Sequence, residues 1–402
     1  MANQTIDTPR SPSPSRPPLT LSGVWNNVRL RGWFYQGVVI LGTIALGAYL
    51  IGNAQSGLAR QGISTGFHFL QQAAGFDIGE RPIPFTSSDT FMRAYAVGVL
   101  NTLKVAVVSI VCATLIGIIV GVGRLSSNLL VRKLTSIYVE VFRNIPQLVL
   151  IIFLYTLFVA LPRPRDAVAV GDIVFLSNRG LVMPWFGPDF PAAGFALALV
   201  LGGTAAWGLA RWADARRRAT GIHRRIWPAS AAAVVVPPLL VVALVGTPGL
   251  ISVPQLQGFN FRGGAALSTE FLALSVGLSL YIAAFVAEIV RSGIQSVRKG
   301  QIEAARSIGL SSFDTYRKVI FPQALRVMVP PAAAQYVSVV KNSSLGVAIG
   351  YPELFNVNNT IVTLSGHTVE AIAIMMSIYL AISFLIAILM NAYNRFVQIK
   401  ER

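Results

Sequence analysis

The sequence predicts an all-α transmembrane protein with about eight helices, and three observations support that fold class. Of the 402 residues, 54% are hydrophobic and only 12% are charged, whereas about a quarter of the residues of a soluble domain are charged. The mean hydropathy is +0.62. The apolar residues form long continuous segments rather than short alternating ones, which favours helices over a transmembrane β-barrel. This composition excludes a disordered chain, a secreted disulfide-rich scaffold and an ordinary cytosolic enzyme.

About eight apolar segments are long enough to cross a hydrocarbon core of about 30 Å, which takes about 20 helical residues. Each must be helical, because backbone groups in lipid need hydrogen-bond partners within their own segment. The predicted spans are Phe34–Ile51, Tyr95–Val122, Asn144–Leu161, Ala192–Ala210, Ile226–Gly246, Phe271–Val290, Val327–Gly350 and Ala371–Tyr393.

The basic residues are distributed unequally between the two sides of these spans. They cluster in both terminal tails and in the connections 124–143, 211–225 and 291–326. Because basic segments are retained on the cytoplasmic side, both termini are predicted to be cytoplasmic, and an odd number of spans would destroy this segregation. The net charge of +17 then reflects topology and not nucleic-acid binding, and the 211–225 connection is expected to contact anionic lipid.

Residues 1–33 precede the first span, which is predicted over 34–51. They are expected to form a cytoplasmic tail that is rich in Pro and Ser and disordered at its start, followed by an interfacial helix over 20–36. A simple juxtamembrane linker is the alternative interpretation of that helix. A cleavable signal peptide is not predicted, because no small-residue cleavage site follows the first apolar run.

The sequence contains no pattern typical of catalysis or of metal binding. Cys112 is the single cysteine, and His68, His223 and His367 are far apart with no carboxylate at ligand spacing. No lysine belongs to a glycine-rich phosphate loop, and HExxH and GxSxG motifs are absent. We therefore expect no metal or cofactor in this chain and no ATP hydrolysis by this chain itself.

The connection between the sixth and seventh predicted spans, residues 296–322, is the most informative segment. Gly309 suits the left-handed position that ends one helix, and Ser311 with Asp314 has the spacing of a capping box that begins the next. Pro322 is expected to stop or kink that second helix. The apolar residues on one face of it are Phe313, Tyr316, Val319 and Ile320. Periodicity alone leaves two interpretations open, since this face either packs beneath the chain's own bundle or docks in a groove on a soluble partner.

The spacing within this connection resembles the EAA loop of bacterial ABC importer permeases. The matching residues are Glu303, Ala304 and Ala305, then Gly309, and later Val319, Phe321 and Pro322, with Phe321 in place of the usual leucine. Flanking segments are similar to those of polar amino-acid permeases. These segments are Ser279–Ile294, Lys341–Leu345, Asn101–Leu103 and Arg143–Pro146.

The resemblance covers roughly residues 92–161 and 270–394. Between them, the predicted spans Ala192–Ala210 and Ile226–Gly246 interrupt the usual five-helix core. This long form most resembles the Q-type membrane subunit of general L-amino-acid importers, which include glutamate/glutamine/aspartate importers. The resemblance implies an ABC type I importer permease fold over 92–394, with the two extra spans inserted within 162–269.

The resemblance also implies roles for individual residues of the loop. In the family, this loop sits in a cleft of the ATPase subunit, where small alanines permit close approach and a glycine permits the turn. The implied docking corner is formed by Glu303, Ala304, Ala305 and Gly309. Taken alone, Glu303 would be interpreted as a solvated helix carboxylate.

A polar substrate path is predicted within the least apolar span, which also contains the pair Pro330-Pro331. An ionisable residue inside a span usually faces the bundle interior or a wet cavity, because burying it in lipid is costly. The candidate path residues are Lys341, Asn342, Ser343, Ser344 and Glu288. Lys341 either meets a substrate carboxylate, or snorkels, or pairs with Glu288 as a structural bridge. Lys104 is expected to snorkel outward.

These features predict the membrane-spanning subunit of an ATP-driven importer of polar L-amino acids in the bacterial inner membrane. The implied partners are an ATPase subunit that binds ATP and Mg²⁺, a second homologous permease subunit, a periplasmic amino-acid-binding protein that meets the loop 351–370, and membrane lipid. The alternative function is an ion-gradient-coupled secondary amino-acid transporter, but the spans lack its cluster of Asp, Glu and His residues and show no clear inverted repeat. A structural scaffold would leave the polar cluster 341–344 unexplained.

Overall fold

The computed structural model describes residues 28–60, 66–187, 189–221, 226–245 and 250–397. The chain divides into two units, one on each side of the boundary between Phe67 and His68. In the first unit, helix α1 (Val28–Arg60) contains the predicted span 34–51. The predicted disordered tail and the start of the predicted interfacial helix, in residues 1–27, lie outside the described residues.

The second unit is mostly helical. Its α-helices are α2 (Phe91–Gly123), α3 (Leu129–Asn144), α4 (Gln147–Val159), α5 (Ala192–Thr220), α6 (Trp227–Val245), α7 (Thr269–Gln295), α8 (Lys299–Ser307), α9 (Ser312–Thr315), α10 (Phe321–Asn342), α11 (Leu354–Ser365) and α12 (Thr368–Val397). It also contains 3₁₀ helices at His68–Gln71, Pro164–Asp166 and Ser343–Ile349, and a π-helical turn at Tyr316–Ile320. Six helices of the described chain are long and apolar enough to cross a membrane, namely α1, α2, α5, α6, α7 and α12.

Helices α2 and α7 form the centre of the bundle. They run parallel, because the C-terminal half of α2 lies against the C-terminal half of α7. Gly121 permits this contact, since a Cβ there would lie 2.7 Å from the carbonyl oxygen of Ala287. Most of α7 is buried, including Leu274, Leu278 and Ile282. The core of the second unit is therefore built around α7.

The predicted span Asn144–Leu161 is the second half of a bent helix pair. Helices α3 and α4 are long and apolar enough to cross a membrane only when taken together, and they meet at an angle of 105°. Ile145, between them, has extended backbone angles (φ −81°, ψ 131°), because it precedes Pro146 and a residue before proline avoids the helical region. Helix α4, with 13 residues, is about 20 Å long and does not cross a bilayer alone.

The predicted span Val327–Gly350 is not one continuous α-helix. Helix α10 begins earlier, at Phe321, and its α-helical part ends at Asn342. A 3₁₀ helix follows and ends at Gly350, whose φ is +78°. Serine hydroxyls at this break bond to backbone carbonyls three residues before them and so compete with the helical ladder. The polar residues that made this the least apolar span also interrupt it.

Of the two predicted effects of Pro322, a stop is not observed, because the helix continues past it. A π-helical turn joins α9 to α10, and the N–H of Phe321 donates to the carbonyl of Tyr316 five residues earlier. Proline has no N–H to donate and collides with the carbonyl four residues before it in a regular α-helix. The wider turn shifts the hydrogen-bond pattern just before the proline, and the helical backbone continues from Ser312 to Asn342.

Short strands, which were not predicted, lie in the connections on either side of α5 and α6. They are β1 (Val168–Val170), β2 (Val174–Ser177), β3 (Gly180–Met183), β4 (Trp185–Phe186), β5 (Ile251–Ser252), β6 (Gln255–Gln257), β7 (Asn260–Arg262) and β8 (Ala265–Leu267). They form an antiparallel sheet with the order β1-β2-β3-β8 and two strand pairs, β4-β5 and β6-β7. The last of these strands leads directly into the first turn of α7. We call this end of the bundle, where α7 begins, the strand end.

The predicted inserted spans form the hairpin α5–α6. Gly202 of α5 lies so close to α6 that a Cβ there would be 2.3 Å from the carbonyl oxygen of Ala233. The four-stranded sheet joins the chain before the hairpin to the chain after it, with Val182 of β3 opposite Ala266 of β8. The sheet therefore closes the insertion at its base and leads directly into α7.

Candidate functional site

The predicted helix–corner–helix is present, and we call residues 299–321 the α8–α9 corner. Gly309 has φ +79°, and the N–H of Leu310 donates to the carbonyl of Ala305 at 3.1 Å, which closes α8 with a Schellman-type end. Ser311 caps α9 by accepting the N–H of Asp314 at 3.1 Å. The predicted left-handed glycine and the predicted cap are both confirmed.

Asp314 has a second role in the corner. The ammonium group of Lys318 lies 3.0 Å from the Asp314 carboxylate, one helical turn away. This contact holds the pKa of Asp314 below its usual range. The carboxylate stays charged near neutral pH at the N-terminus of α9, where a negative charge is favourable.

The apolar face of the corner is divided between the bundle and the solvent. Ile320 and Ala305 are buried, whereas Phe313 and Tyr316 are 72% and 53% exposed. Ile308, just before the glycine, is 77% exposed. One edge of the face therefore packs on the bundle, and the other edge is uncovered in the single chain.

The EAA residues are placed around this uncovered edge. Glu303, Ala304 and Gly309 are exposed, while Ala305 points into the bundle. No Cβ contact within 4 Å restricts Gly309, so its conformation and not crowding requires a glycine. The corner thus presents a small, flat surface beside large exposed apolar side chains.

The predicted path residues on α10 do not form one cluster. Ser343 is fully buried, and its hydroxyl donates to the carbonyl of Val340. Ser344 donates to the carbonyl of Lys341, and the Lys341 side chain itself is exposed and makes no ion pair with any described residue. Asn342 reaches helix α4, and Ser343 also contacts the Tyr379 side chain of α12.

Asn342 contacts a residue that the sequence analysis missed. Its side-chain amide donates to the Gln147 side-chain oxygen at 2.8 Å. The Gln147 side-chain nitrogen is buried and has no hydrogen-bond partner in the described part of the chain. The neighbouring stretch Arg143–Pro146 was a sequence signal for this region, and Gln147 lies directly after it.

Glu288 lies apart from Lys341 and pairs with two arginines. Its carboxylate contacts Arg124, which caps the C-terminus of α2, and Arg291, one turn along α7. The alternative bridge between Lys341 and Glu288 is therefore absent. Because α2 and α7 end together here, the Arg124–Glu288–Arg291 cluster ties these two helices next to the α8–α9 corner.

The Lys104 side chain extends to the strand end of the bundle, where it has an ion-pair partner. Its ammonium group pairs with Glu80, in the connection before α2, and lies 4.5 Å from the centre of the Phe271 ring. Glu80 also accepts the hydroxyl of Ser268, the cap of α7. Asn101 is fully buried and donates to the carbonyls of Glu80 and Pro352 at 2.7 and 2.9 Å. These polar contacts join four chain segments at the strand end.

Glu353, also missed from the sequence, is fully buried at the start of α11. It accepts the N–H groups of Phe355 and Asn356 and the hydroxyl of Tyr379 at 2.7–2.9 Å. Burial raises the pKa of Glu353 to about 7, although these three donors oppose the shift. Glutamate is not among the preferred helix caps, so the sequence offered little signal for this position.

No group of three or more His, Cys, Asp or Glu residues within the described ranges is arranged to hold a metal ion. Apolar spanning helices, an interrupted polar helix and a corner with exposed apolar side chains define instead a multi-pass membrane protein.

Comparison with known proteins identifies the family. Residues 226–399 match the family described as the binding-protein-dependent transport system inner membrane component. The chain is 45% identical to YhdX of Escherichia coli K12, named as an amino-acid ABC transporter permease, over 94% of this chain and 96% of that protein. The chain therefore belongs to the amino-acid ABC transporter permeases.

Two further relatives are also named as permease proteins of amino-acid transport systems. AapQ of Rhizobium johnstonii, a general L-amino acid transport system permease protein, is 43% identical over 93% of this chain and 94% of AapQ. BztB of Rhodobacter capsulatus, a glutamate/glutamine/aspartate/asparagine transport system permease protein, is 37% identical over 97% of this chain and 99% of BztB. The predicted family is confirmed, and these relatives favour it over an ion-coupled secondary transporter.

Proposed function

We propose that this chain is the permease subunit through which an ATP-driven importer moves polar L-amino acids across the bacterial inner membrane. The substrate class is supported by the names of the relatives, two of which are an L-amino acid permease and a glutamate/glutamine/aspartate/asparagine permease. ATP and Mg²⁺ bind to a separate ATPase subunit, and this chain holds no cofactor of its own.

The uncovered edge of the α8–α9 corner is the observation that carries the proposal. Large apolar side chains that are exposed outside a bilayer usually mark an interaction surface. Ile308 and Phe313 are both more than 70% exposed, beside the small residues Ala304 and Gly309. In this proposal the ATPase subunit covers Ile308 and Phe313 and contacts Glu303 and Ala304 through a shallow cleft, while the buried Ala305 packs the corner against the bundle.

The corner is connected to the polar segment by a continuous helical rod. The backbone runs from Ser312 through the π-helical turn into α10 and ends at Asn342, which contacts Gln147. A helix transmits displacement along its axis, so movement of the corner by the ATPase changes the position of Asn342. This rod is the proposed link between ATP hydrolysis and alternating access.

The proposed substrate path runs beside the C-terminus of α10. Lys341 is exposed in the single chain and is available to face a second homologous permease subunit across the path. Asn342, Ser343 and Ser344 extend the same polar segment. Glu288, held by Arg124 and Arg291, has a supporting position near the corner rather than a place beside Lys341.

The proposed orientation places both termini and the α8–α9 corner in the cytoplasm. The arginine-rich end of α5, with Arg216, Arg217 and Arg218, lies on the same side. The strand end then faces the periplasm, where α11 and its flanking residues 351–370 meet the amino-acid-binding protein. The permease domain extends over 92–394, with the α5–α6 hairpin and the strands inserted within 162–269.

Affinity purification of the tagged chain from its native membranes tests the docking surface. We expect an ABC ATPase and a second permease to copurify, as identified by mass spectrometry. Ile308→Glu should lose the ATPase and keep the second permease, because a charge replaces an apolar contact. Ile251→Glu is the matched control, since Ile251 is a 64% exposed isoleucine on β5. A wild-type chain that is recovered alone, even after crosslinking, contradicts the proposal.

A further inference from the structure

A polar cavity of about 540 Å³ lies at the strand end of the bundle. Its volume is within the range of about 300–1,000 Å³ that is typical of small-molecule sites. Its walls come from the connection 76–80, from the β2–β3 turn, from the start of α7 and from the beginning of α11. No sequence motif indicated this cavity, because its four walls are far apart in the chain.

The charges in the cavity wall leave one cation and one anion without an ion-pair partner. Glu80 is paired with Lys104, and Asp77 is paired with Arg81. Arg179 and Glu270 remain, and neither forms a salt bridge within 4.0 Å among the described residues. Within the described part of the chain, Glu270 accepts only the Tyr155 hydroxyl, in a long contact of 3.4 Å.

The turn that carries Arg179 is attached to the helix that carries Glu270. The carbonyl of Asn178 accepts the hydroxyl of Thr269 at 2.9 Å, one residue before Glu270. The next residue along the turn, Gly180, has φ +108°, and a Cβ there would lie 1.9 Å from the carbonyl oxygen of Leu267. Arg179 and Glu270 are therefore held on the same cavity by short, rigid connections.

The wall formed at the beginning of α11 adds a neutral polar group and leads toward the proposed path. Asn356 lines the cavity, and its side-chain amide forms no hydrogen bond with the described residues. Gly350 and Pro352 also line the cavity, and they directly follow the 3₁₀ helix Ser343–Ile349. The cavity thus lies at the far end of the polar segment that begins at Lys341.

We propose that this cavity binds one free α-amino acid on the periplasmic side before it enters the path, with its carboxylate on Arg179 and its ammonium group on Glu270. A guanidinium group matches a carboxylate through two parallel hydrogen bonds, and a carboxylate accepts from an ammonium group. Asn356 is placed to contact a polar substrate side chain. This inference rests on the proposed function and assigns a role to the inserted strands, which supply Arg179.

Binding of radiolabelled L-glutamine to the purified transporter complex in lipid nanodiscs, without the binding protein, tests the site. We expect saturable binding that falls about tenfold or more in Arg179→Ala and in Glu270→Gln, as expected from the loss of a charge-assisted hydrogen bond. Arg262→Ala is the matched control, because Arg262 is an exposed arginine on β7 outside the cavity. It should bind like the wild type.

Two analogues distinguish a ligand contact from a structural role. N-acetyl-L-glutamine lacks the ammonium group, and L-glutamine amide lacks the carboxylate. Arg179→Ala should lose the preference for L-glutamine over the amide and keep the preference over the N-acetyl compound, whereas Glu270→Gln should do the reverse. Arg179→Lys should retain part of the binding, since it keeps the charge and loses the planar fork.

The site proposal is overturned if the wild-type complex shows no saturable binding, or if both variants weaken all three ligands equally. Uptake of L-glutamine in the presence of the binding protein is measured in parallel. If L-glutamine is taken up but does not bind in the nanodisc assay, the cavity-site proposal is overturned and the proposed function is retained. Absence of a copurifying ATPase together with absence of uptake contradicts the proposed function, whereas the nanodisc binding result decides the cavity site separately.

Discussion

Asn342 donates a 2.8 Å hydrogen bond to Gln147, and this contact joins two helix interruptions. Asn342 is the last α-helical residue of α10, before the 3₁₀ segment, and Gln147 is the first residue of α4, after the 105° bend. Where a helix is interrupted, some of its backbone groups lose their partners within the helix, and neighbouring segments can supply new ones. The contact therefore links two interrupted segments that are far apart in the sequence.

Asn342→Ala should weaken this junction. The loss of a half-buried hydrogen bond, which also leaves the Gln147 oxygen without a partner, is expected to lower the free energy of unfolding by about 1–2 kcal/mol. Uptake should fall as well. Ser344→Ala is the control, since the Ser344 hydroxyl bonds only to the carbonyl of Lys341 in its own helix, and it should change stability by less than about 0.5 kcal/mol. Equal thermal stability of the two variants in detergent would refute this expectation.

Gly309→Ala should distort the α8–α9 corner. A Cβ at φ +79° costs roughly 1 kcal/mol, so the corner is expected to bind the ATPase about fivefold more weakly. Gly300→Ala is the matched control, because Gly300 is an exposed helical glycine with open space around its Cβ position, and alanine there should stabilise α8. The readout is ATPase copurification in mild detergent. If the same amount of ATPase copurifies with Gly309→Ala and with Gly300→Ala, the left-handed conformation of Gly309 is not needed for ATPase binding.

Glu353 should make stability depend on pH. Its pKa is about 7 in the fold and near 4.5 in an unfolded chain, so the unfolded state releases its proton first as pH rises. Stability is therefore highest below about pH 4.5 and falls between pH 4.5 and 7, by about 3 kcal/mol at most. Glu353→Gln should remove this part of the pH dependence.

Thermal unfolding of the wild type and of Glu353→Gln at pH 5 and pH 8 measures the effect. The comparison is made between the two proteins, since other groups titrate equally in both. Tyr379 donates to Glu353, and Tyr351 also interacts with it. Burial and the negative charges of Glu80 and Glu353 raise the pKa of Tyr351, so Tyr351 stays neutral over this range. An identical change with pH in both proteins would show that Glu353 does not titrate in this window.

Lys104→Met should destabilise the strand end, because Glu80 would then be half-buried without its partner. The free energy of unfolding is expected to fall by about 1–2 kcal/mol. This is less than for a fully buried ion pair, because the Lys104 side chain is 32% exposed. The double variant Lys104→Met/Glu80→Gln should recover most of that loss, as it removes both charges. A double variant no more stable than the single one, by thermal unfolding, would argue against the pair as the cause.

Several features of this fold followed from short stretches of sequence. The apolar segments predicted α2, α7 and α12, because the apolar length needed to cross a bilayer is a local property. Gly309 and Ser311 predicted the corner for the same reason, since a left-handed turn and a helix cap each depend on three or four consecutive residues. The EAA spacing led to the family.

Other features required the tertiary structure. Lys104 forms an ion pair with Glu80, and Glu288 forms one with Arg124 and not with Lys341. The β2–β3 turn brings Arg179 to the same cavity as Glu270. These partners are far apart in the chain, and their meeting depends on how whole helices pack.

The sequence by itself determined where the six long apolar helices and the corner lie and to which family the chain belongs. The tertiary structure decided which charges pair and where polar groups stay unpaired. It also decided that a π-helical turn accommodates Pro322 and that the insertion is closed by a sheet. Local signals arise from backbone geometry within a few residues, whereas ion pairs and cavities arise from contacts between segments whose separation in sequence carries no information about their distance in space.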